Sequence, residues 1–154
     1  MADAVSNSTS KMTDADLLAI ATYLKDRAPR SERAVTALAP SDPRMVAGKA
    51  IYEDRCAGCH AYSGAGVPTL FPRLASAPLI QSTDPTSLIR VVLIGSRAVA
   101  TSAAPTAPAM PAFGWNLTDT EIADVLTYVR NTWANAASAV QPEDVSKLRG
   151  RLQQ

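Results

Sequence analysis

Apolar residues recur at helical intervals along most of this chain, and cap signals frame the runs. At 118–121 the string TDTE places a threonine three residues ahead of a glutamate, the pattern of a reciprocal N-terminal cap. Ile122, Val125, Leu126, Val129 and Trp133 then repeat on one face, which predicts a long helix. Asp84 and Pro85 open a second helix with Leu88, Ile89, Val92 and Leu93 as its apolar face, and Gly95 stops it. Ser41, Asp42 and Pro43 read as cap and first residue of a third helix running through Arg55, with Val46, Ala50, Ile51 and Asp54 at helical spacing. Residues 142–152 place Val145, Leu148 and Leu152 on one side, and either form a short helix or fray as chain ends do.

Between these runs, residues 62–74 (YSGAGVPTLFPRL) are rich in Gly and Pro, and residues 98–113 (AVATSAAPTAPAMPAF) are low in charge and rich in Ala and Pro. Both read as loops. No segment shows a convincing alternation, so the expected fold class is all-α.

One stretch is echoed. TDADLLAIATYLK at 13–25 aligns without a gap on TDTEIADVLTYVR at 118–130, with Thr, Asp, Thr and Tyr coinciding and the apolar positions matching in kind. Either two amphipathic helices converge on the same caps, or the first is the terminal helix of a repeated domain.

Composition narrows the function classes. In 154 residues, 47% are apolar and 19% charged, and 15 Lys and Arg against 14 Asp and Glu leave a formal charge of +1. That is ordinary for a globular domain. The cations are scattered, which argues against nucleic acid as a partner. No run approaches the ~18 apolar residues of a membrane-spanning helix. The N-terminus lacks a basic region followed by an apolar segment, so a secretory signal is expected to be missing or already removed.

The chemistry concentrates in CAGCH at 56–60, which holds both cysteines and the sole histidine. Two thiols at this spacing can meet the two vinyl groups of a haem, and the histidine beside the second thiol can swing onto the iron. A disulfide or thioredoxin-like pair would use the same cysteines but explains neither His60 nor the missing βαβ pattern. A zinc site lacks a fourth ligand among two Cys and one His. Pro68 or Pro72 could supply the carbonyl that fixes an iron-bound imidazole.

A distal sulfur ligand must come from Met1, Met12, Met45 or Met110. Met45 lies in the helix leading into the motif, which carries it away from the distal face. Met110, between Pro108 and Pro111, sits in an extended stretch able to lay its thioether on a haem face, and is the expected distal ligand.

CAGCH after a helix, PRL at 72–74, MPAF at 110–113 and a capped terminal helix with Tyr128 and Trp133 together resemble class I cytochromes c, over about residues 39–136. MPAFGWNLTDTEIADVLTYVRNTW more narrowly resembles the last haem domain of multi-haem cytochrome subunits of membrane-associated alcohol, gluconate and sugar dehydrogenases. The resemblance implies a cytochrome c fold around one haem c, thioethers from Cys56 and Cys59, His60 as proximal and Met110 as distal ligand. It also implies Pro72 as acceptor for His60 and Leu74 packed on the porphyrin. Arg73 departs from the proline or small residue expected there, and a turn toward a haem propionate is an open question.

The resulting organisation is a helix left from an upstream cytochrome domain at 1–28, a linker at 29–40, the haem domain at 41–136 and a tail at 137–154. Met1 would stand where the upstream domain had its distal ligand. The orphan helix, with Leu17, Ile20, Ala21 and Leu24 on its apolar face, is expected to dock on the haem domain or to mediate self-association.

The expected function is electron transfer from a dehydrogenase catalytic subunit or neighbouring haem toward a quinone or an oxidase. The expected location is the bacterial periplasm, with membrane association through a larger complex. The competing readings are a haem enzyme or gas sensor with Met110 labile or unbound, served by Arg73 or Arg97, and a free-standing soluble carrier.

Overall fold

The computed structural model describes residues 2–26 and 35–153. Met1 and residues 29–34 of the expected linker lie outside the described residues. The chain divides into two compact units, Met1–Arg33 with Arg97–Pro108, and Ala34–Ser96 with Ala109–Gln154.

The first unit contains α1 (Ala2–Asn7), a 3-10 turn (Thr9–Lys11) and α2 (Asp14–Lys25). Thr13 caps α2 by accepting from the Asp16 amide at 3.2 Å. No residue of α2 is buried, and Leu18 and Leu24 are 68% and 57% exposed.

The second unit is built from α3 (Pro43–Arg55), α4 (Ala57–His60), α5 (Pro78–Gln81), α6 (Thr86–Ile94), α7 (Asp119–Arg130) and α8 (Pro142–Leu152). Two-residue strands β1 (Ser96–Arg97) and β2 (Ala109–Met110) form the one sheet among the described residues. Helix dominates, in line with the all-α expectation.

The cap chemistry sets these helices where the pattern placed them. Asp42 Oδ1 accepts from the Arg44 amide at 3.0 Å, and Pro43 begins α3 where its missing N–H is harmless. At α7 the Thr118 side chain and the Glu121 carboxylate satisfy each other's backbone N–H groups. Leu88, Ile89, Val92 and Leu93 of α6 join Ile122, Val125, Leu126 and Val129 of α7 in one core.

Two sequence expectations need correction. The buried face of α3 is Met45, Gly48 and Tyr52, while Val46 is 59% exposed. The reason is a close crossing with α7: a Cβ on Gly48 would lie 2.1 Å from the Asp124 carbonyl oxygen and 2.8 Å from Tyr128 Cβ. α7 also stops at Arg130, so Trp133 is not on its face. It sits in a turn at φ 51°, its ring 4.9 Å from Tyr52 and 5.6 Å from Tyr128. Asn131 ends the helix by donating to Thr127 O at 2.9 Å and accepting from Leu38 N at 3.1 Å.

The tail does not fray. α8 buries Val145 and Leu148 against α6 and α7. Arg130, fully buried at the end of α7, donates to the carbonyls of Ile80, Ser82 and Ser138 at 2.9, 2.9 and 3.0 Å and so ties α5 and the segment before α8 to the core.

Candidate haem site

α3 delivers the chain directly to the cysteine motif. Cys56 ends α3 and begins the single turn α4, and its carbonyl accepts from Cys59 N at 3.2 Å and His60 N at 3.0 Å. One turn of helix therefore fixes both thiols and the imidazole relative to each other. Cys56 is half-buried and Cys59 exposed, and both are free thiols. Burial, with the neighbouring Cys59 second, pushes the Cys56 thiol up to about 11, so it is protonated at neutral pH.

His60 is 8% exposed, and its Nδ1 lies 3.0 Å from the Pro72 carbonyl oxygen. A carbonyl can only accept, so Nδ1 is the donor, and Nε2 is the ring nitrogen not committed to this contact. Of the two prolines considered as partners, Pro72 is the one whose carbonyl sits there.

The loop of residues 61–75 is folded to present that carbonyl. Gly66 N donates to His60 O at 2.9 Å, Val67 and Phe71 exchange backbone bonds at 3.0 and 2.8 Å, and Leu74 N and Ala75 N reach Gly64 O at 2.8 and 3.0 Å. Gly66 has φ +65°, and a Cβ there would meet Phe71 O at 2.4 Å and Pro72 O at 2.7 Å. Only glycine allows the loop to close so tightly over the acceptor.

Two polar residues that the periodicity did not single out brace this frame. Tyr52 donates to Ala61 O at 2.7 Å, and burial holds its hydroxyl above the usual phenol range. Buried Asn135 donates to Leu74 O at 3.1 Å and Val129 O at 2.9 Å. Neither has a sequence signature: a tyrosine within a helix and an asparagine after one read as ordinary surface polarity.

Met110 lies in β2, partly buried. The segment after it is hung from the end of α6, with Phe113 N on Val92 O at 2.9 Å and Gly114 N on Leu93 O at 3.1 Å. Cys56, Leu74, Met110 and Phe113 all pack against the same core. Met45 is buried in α3, and Arg73 is exposed. Among the described residues, no group of three or more His, Cys, Asp or Glu side chains could hold a metal ion.

The donor set fits an iron porphyrin on its chemistry: two thiols on one helical turn, an imidazole with Nδ1 committed and Nε2 free, and a thioether on a separate segment of the same core.

The cytochrome c family model matches residues 45–133, more than half of the chain. The chain is 38% identical over 160 residues to the gluconate 2-dehydrogenase cytochrome c subunit of Pantoea cypripedii, covering 97% of this chain and 36% of that protein. It is 40% identical over 158 residues to the cytochrome c subunit of alcohol dehydrogenase (quinone) from Gluconobacter oxydans (strain 621H), covering 97% of this chain and 33% of that protein. To the fructose dehydrogenase cytochrome subunit of Gluconobacter japonicus it is 30% identical over 176 residues, covering 97% and 36%. The chain thus spans about a third of the length of the curated relatives it matches.

Proposed function

The chain belongs to the cytochrome c family, and from that premise we propose that it binds one haem c and carries single electrons within a dehydrogenase complex. Cys56 and Cys59 form the thioethers, His60 Nε2 is the proximal ligand and Met110 the distal one. The observation that carries this reading is the Nδ1 contact of His60 with Pro72 O at 3.0 Å, which fixes the tautomer and aims the free nitrogen. When bound, the haem supplies a one-electron iron couple whose potential a His/Met pair raises.

The protein's own task is to hold ligands still and keep water out. α4 sets the thiols and imidazole, the 61–75 loop orients His60, Leu74 contributes apolar cover, and the 110–114 segment presents the thioether. Electrons enter from a dehydrogenase catalytic subunit or a neighbouring haem and leave toward a quinone or an oxidase; the dehydrogenase side of this reading is supported by the names of the relatives. Covalent haem attachment of this kind supports a periplasmic location. No described helix is long and apolar enough to cross a membrane.

Residues 1–28 correspond to the terminal helix of a preceding cytochrome domain, a reading supported by the match of the α2 sequence to that of α7. Its Leu17, Ile20, Ala21 and Leu24 face mediates self-association. The double variant Leu17→Asp/Leu24→Asp is expected to sediment as a monomer where the parent does not; equal sedimentation overturns this point.

Attachment is tested by intact mass and a pyridine haemochrome spectrum after acid–acetone extraction. One haem retained per chain, with covalent retention impaired in Cys56→Ala and Cys59→Ala, is expected. Haem extractable from the parent protein overturns the proposal.

A further inference from the structure

α8 lies beyond the residues that the cytochrome c family model matches, yet it reaches back to the segment that carries Met110. One of its two arginines, Arg149, donates through Nε to Asp119 Oδ1 at 2.8 Å, through Nη2 to Leu117 O at 2.9 Å and through Nη1 to Gly114 O. All three acceptors lie between Phe113 and the first turn of α7.

The two supports of this segment are complementary. Its amides at Phe113 and Gly114 are taken by carbonyls at the end of α6. Its carbonyls at Gly114 and Leu117 are taken by the Arg149 guanidinium, whose planar fork can serve several acceptors at once. Upstream, Gly95 at φ +72° lets the end of α6 lie against Met110, since a Cβ there would stand 2.5 Å from Met110 O. The clamp is rigidly mounted: Val145 and Leu148, on the same helix, are buried in the core, and the Arg149 side chain is itself only 22% exposed.

We propose that Arg149 is a positioning residue that keeps the Met110 segment closed, and thereby limits how often the Met110 thioether leaves the haem iron. The inference rests on Met110 being the distal ligand. In this proposal that bond opens when the chain from Met110 to Gly114 swings away from α6, breaking the Phe113 and Gly114 amide bonds. A segment pinned at both its amides and its carbonyls opens less often than one pinned at its amides alone.

Exogenous imidazole added to the ferric holoprotein reports the opening directly, because it binds only when the thioether has left. Its binding rate is followed by loss of the weak band near ~700 nm expected for sulfur-ligated haem. Arg149→Met, which keeps the apolar stem, should bind imidazole about tenfold faster, as expected for losing charge-assisted bonds. Arg149→Lys, with one compact ammonium, should fall between. If Arg149→Met does not retain haem, the Arg149→Lys rate decides.

Unchanged imidazole rates with a lowered unfolding temperature would make Arg149 merely structural and overturn the proposal. The underlying ligand assignment fails separately, if Met110→Ala keeps the ~700 nm band. Loss of that band in Met110→Ala with parental imidazole rates in the Arg149 variants would sink the clamp alone.

Discussion

His60 Nδ1 stands 3.0 Å from the Pro72 carbonyl oxygen, and Gly66 is folded so closely over that carbonyl that a Cβ would lie 2.7 Å from it. The imidazole's orientation therefore depends on a backbone conformation that only glycine adopts without strain. Gly66→Ala is expected to destabilise the holoprotein by about 1–3 kcal/mol from the left-handed backbone, with the clash adding to it. Weakening the Nδ1 bond also makes the imidazole a poorer donor to ferric iron, so the reduction potential should rise. Thermal unfolding and a redox titration read the two effects; a lowered unfolding temperature at constant potential would separate the loop from the ligand.

Arg130 fills its buried site by donating to main-chain carbonyls and to Ser138 Oγ. Burial pulls its guanidinium below the usual arginine range, opposed by the charge of Asp84. Arg130→Met would leave the Ile80 carbonyl without its donor in a buried position, at about 1–3 kcal/mol, and would remove two part-buried bonds to the Ser82 and Ser138 carbonyls. The variant should lose about 2 kcal/mol or more in urea unfolding, and a loss under about 1 kcal/mol would contradict the tie.

The α7 cap gives a pH dependence whose sign follows from Glu121. The Thr118 backbone N–H, and then its hydroxyl, hold this carboxyl below the ordinary glutamate value. A depressed folded pKa means that the contribution is present above the unfolded value and lost as pH falls through the folded one. Glu121→Gln keeps an acceptor at the cap but cannot titrate. Its unfolding temperature should therefore fall less than the parent's on acidification below the glutamate range, and parallel curves would contradict the assignment.

Much of this architecture is legible in the sequence because it is written in periodicity and caps. The α6 and α7 faces, the Thr118–Glu121 box and the Asp42–Pro43 start all follow from local spacing. The misread features depend on distant partners. Gly48 buries its side of α3 because α7 crosses there, which no periodicity of α3 encodes. Trp133 continues the α7 spacing, yet Asn131 has already closed the helix with its own side chain. Arg130 and Arg149 look like solvated cations, and their roles come from carbonyls on segments remote in sequence. For the tail, Val145 and Leu148 were visible as a stripe, but burial against α6 and α7 decides between a helix and a frayed end.

The central claim, a haem held between His60 and Met110, is tested most directly by the absorption spectrum of the ferric protein near ~700 nm, taken on the parent and on Met110→Ala. The account predicts a weak band in the parent that disappears in the variant while the covalent haem stays attached. A parent haem spectrum without the band, or a band that survives the substitution, would contradict His/Met ligation through Met110. An absent band would shift the reading toward an open iron suited to catalysis or gas sensing.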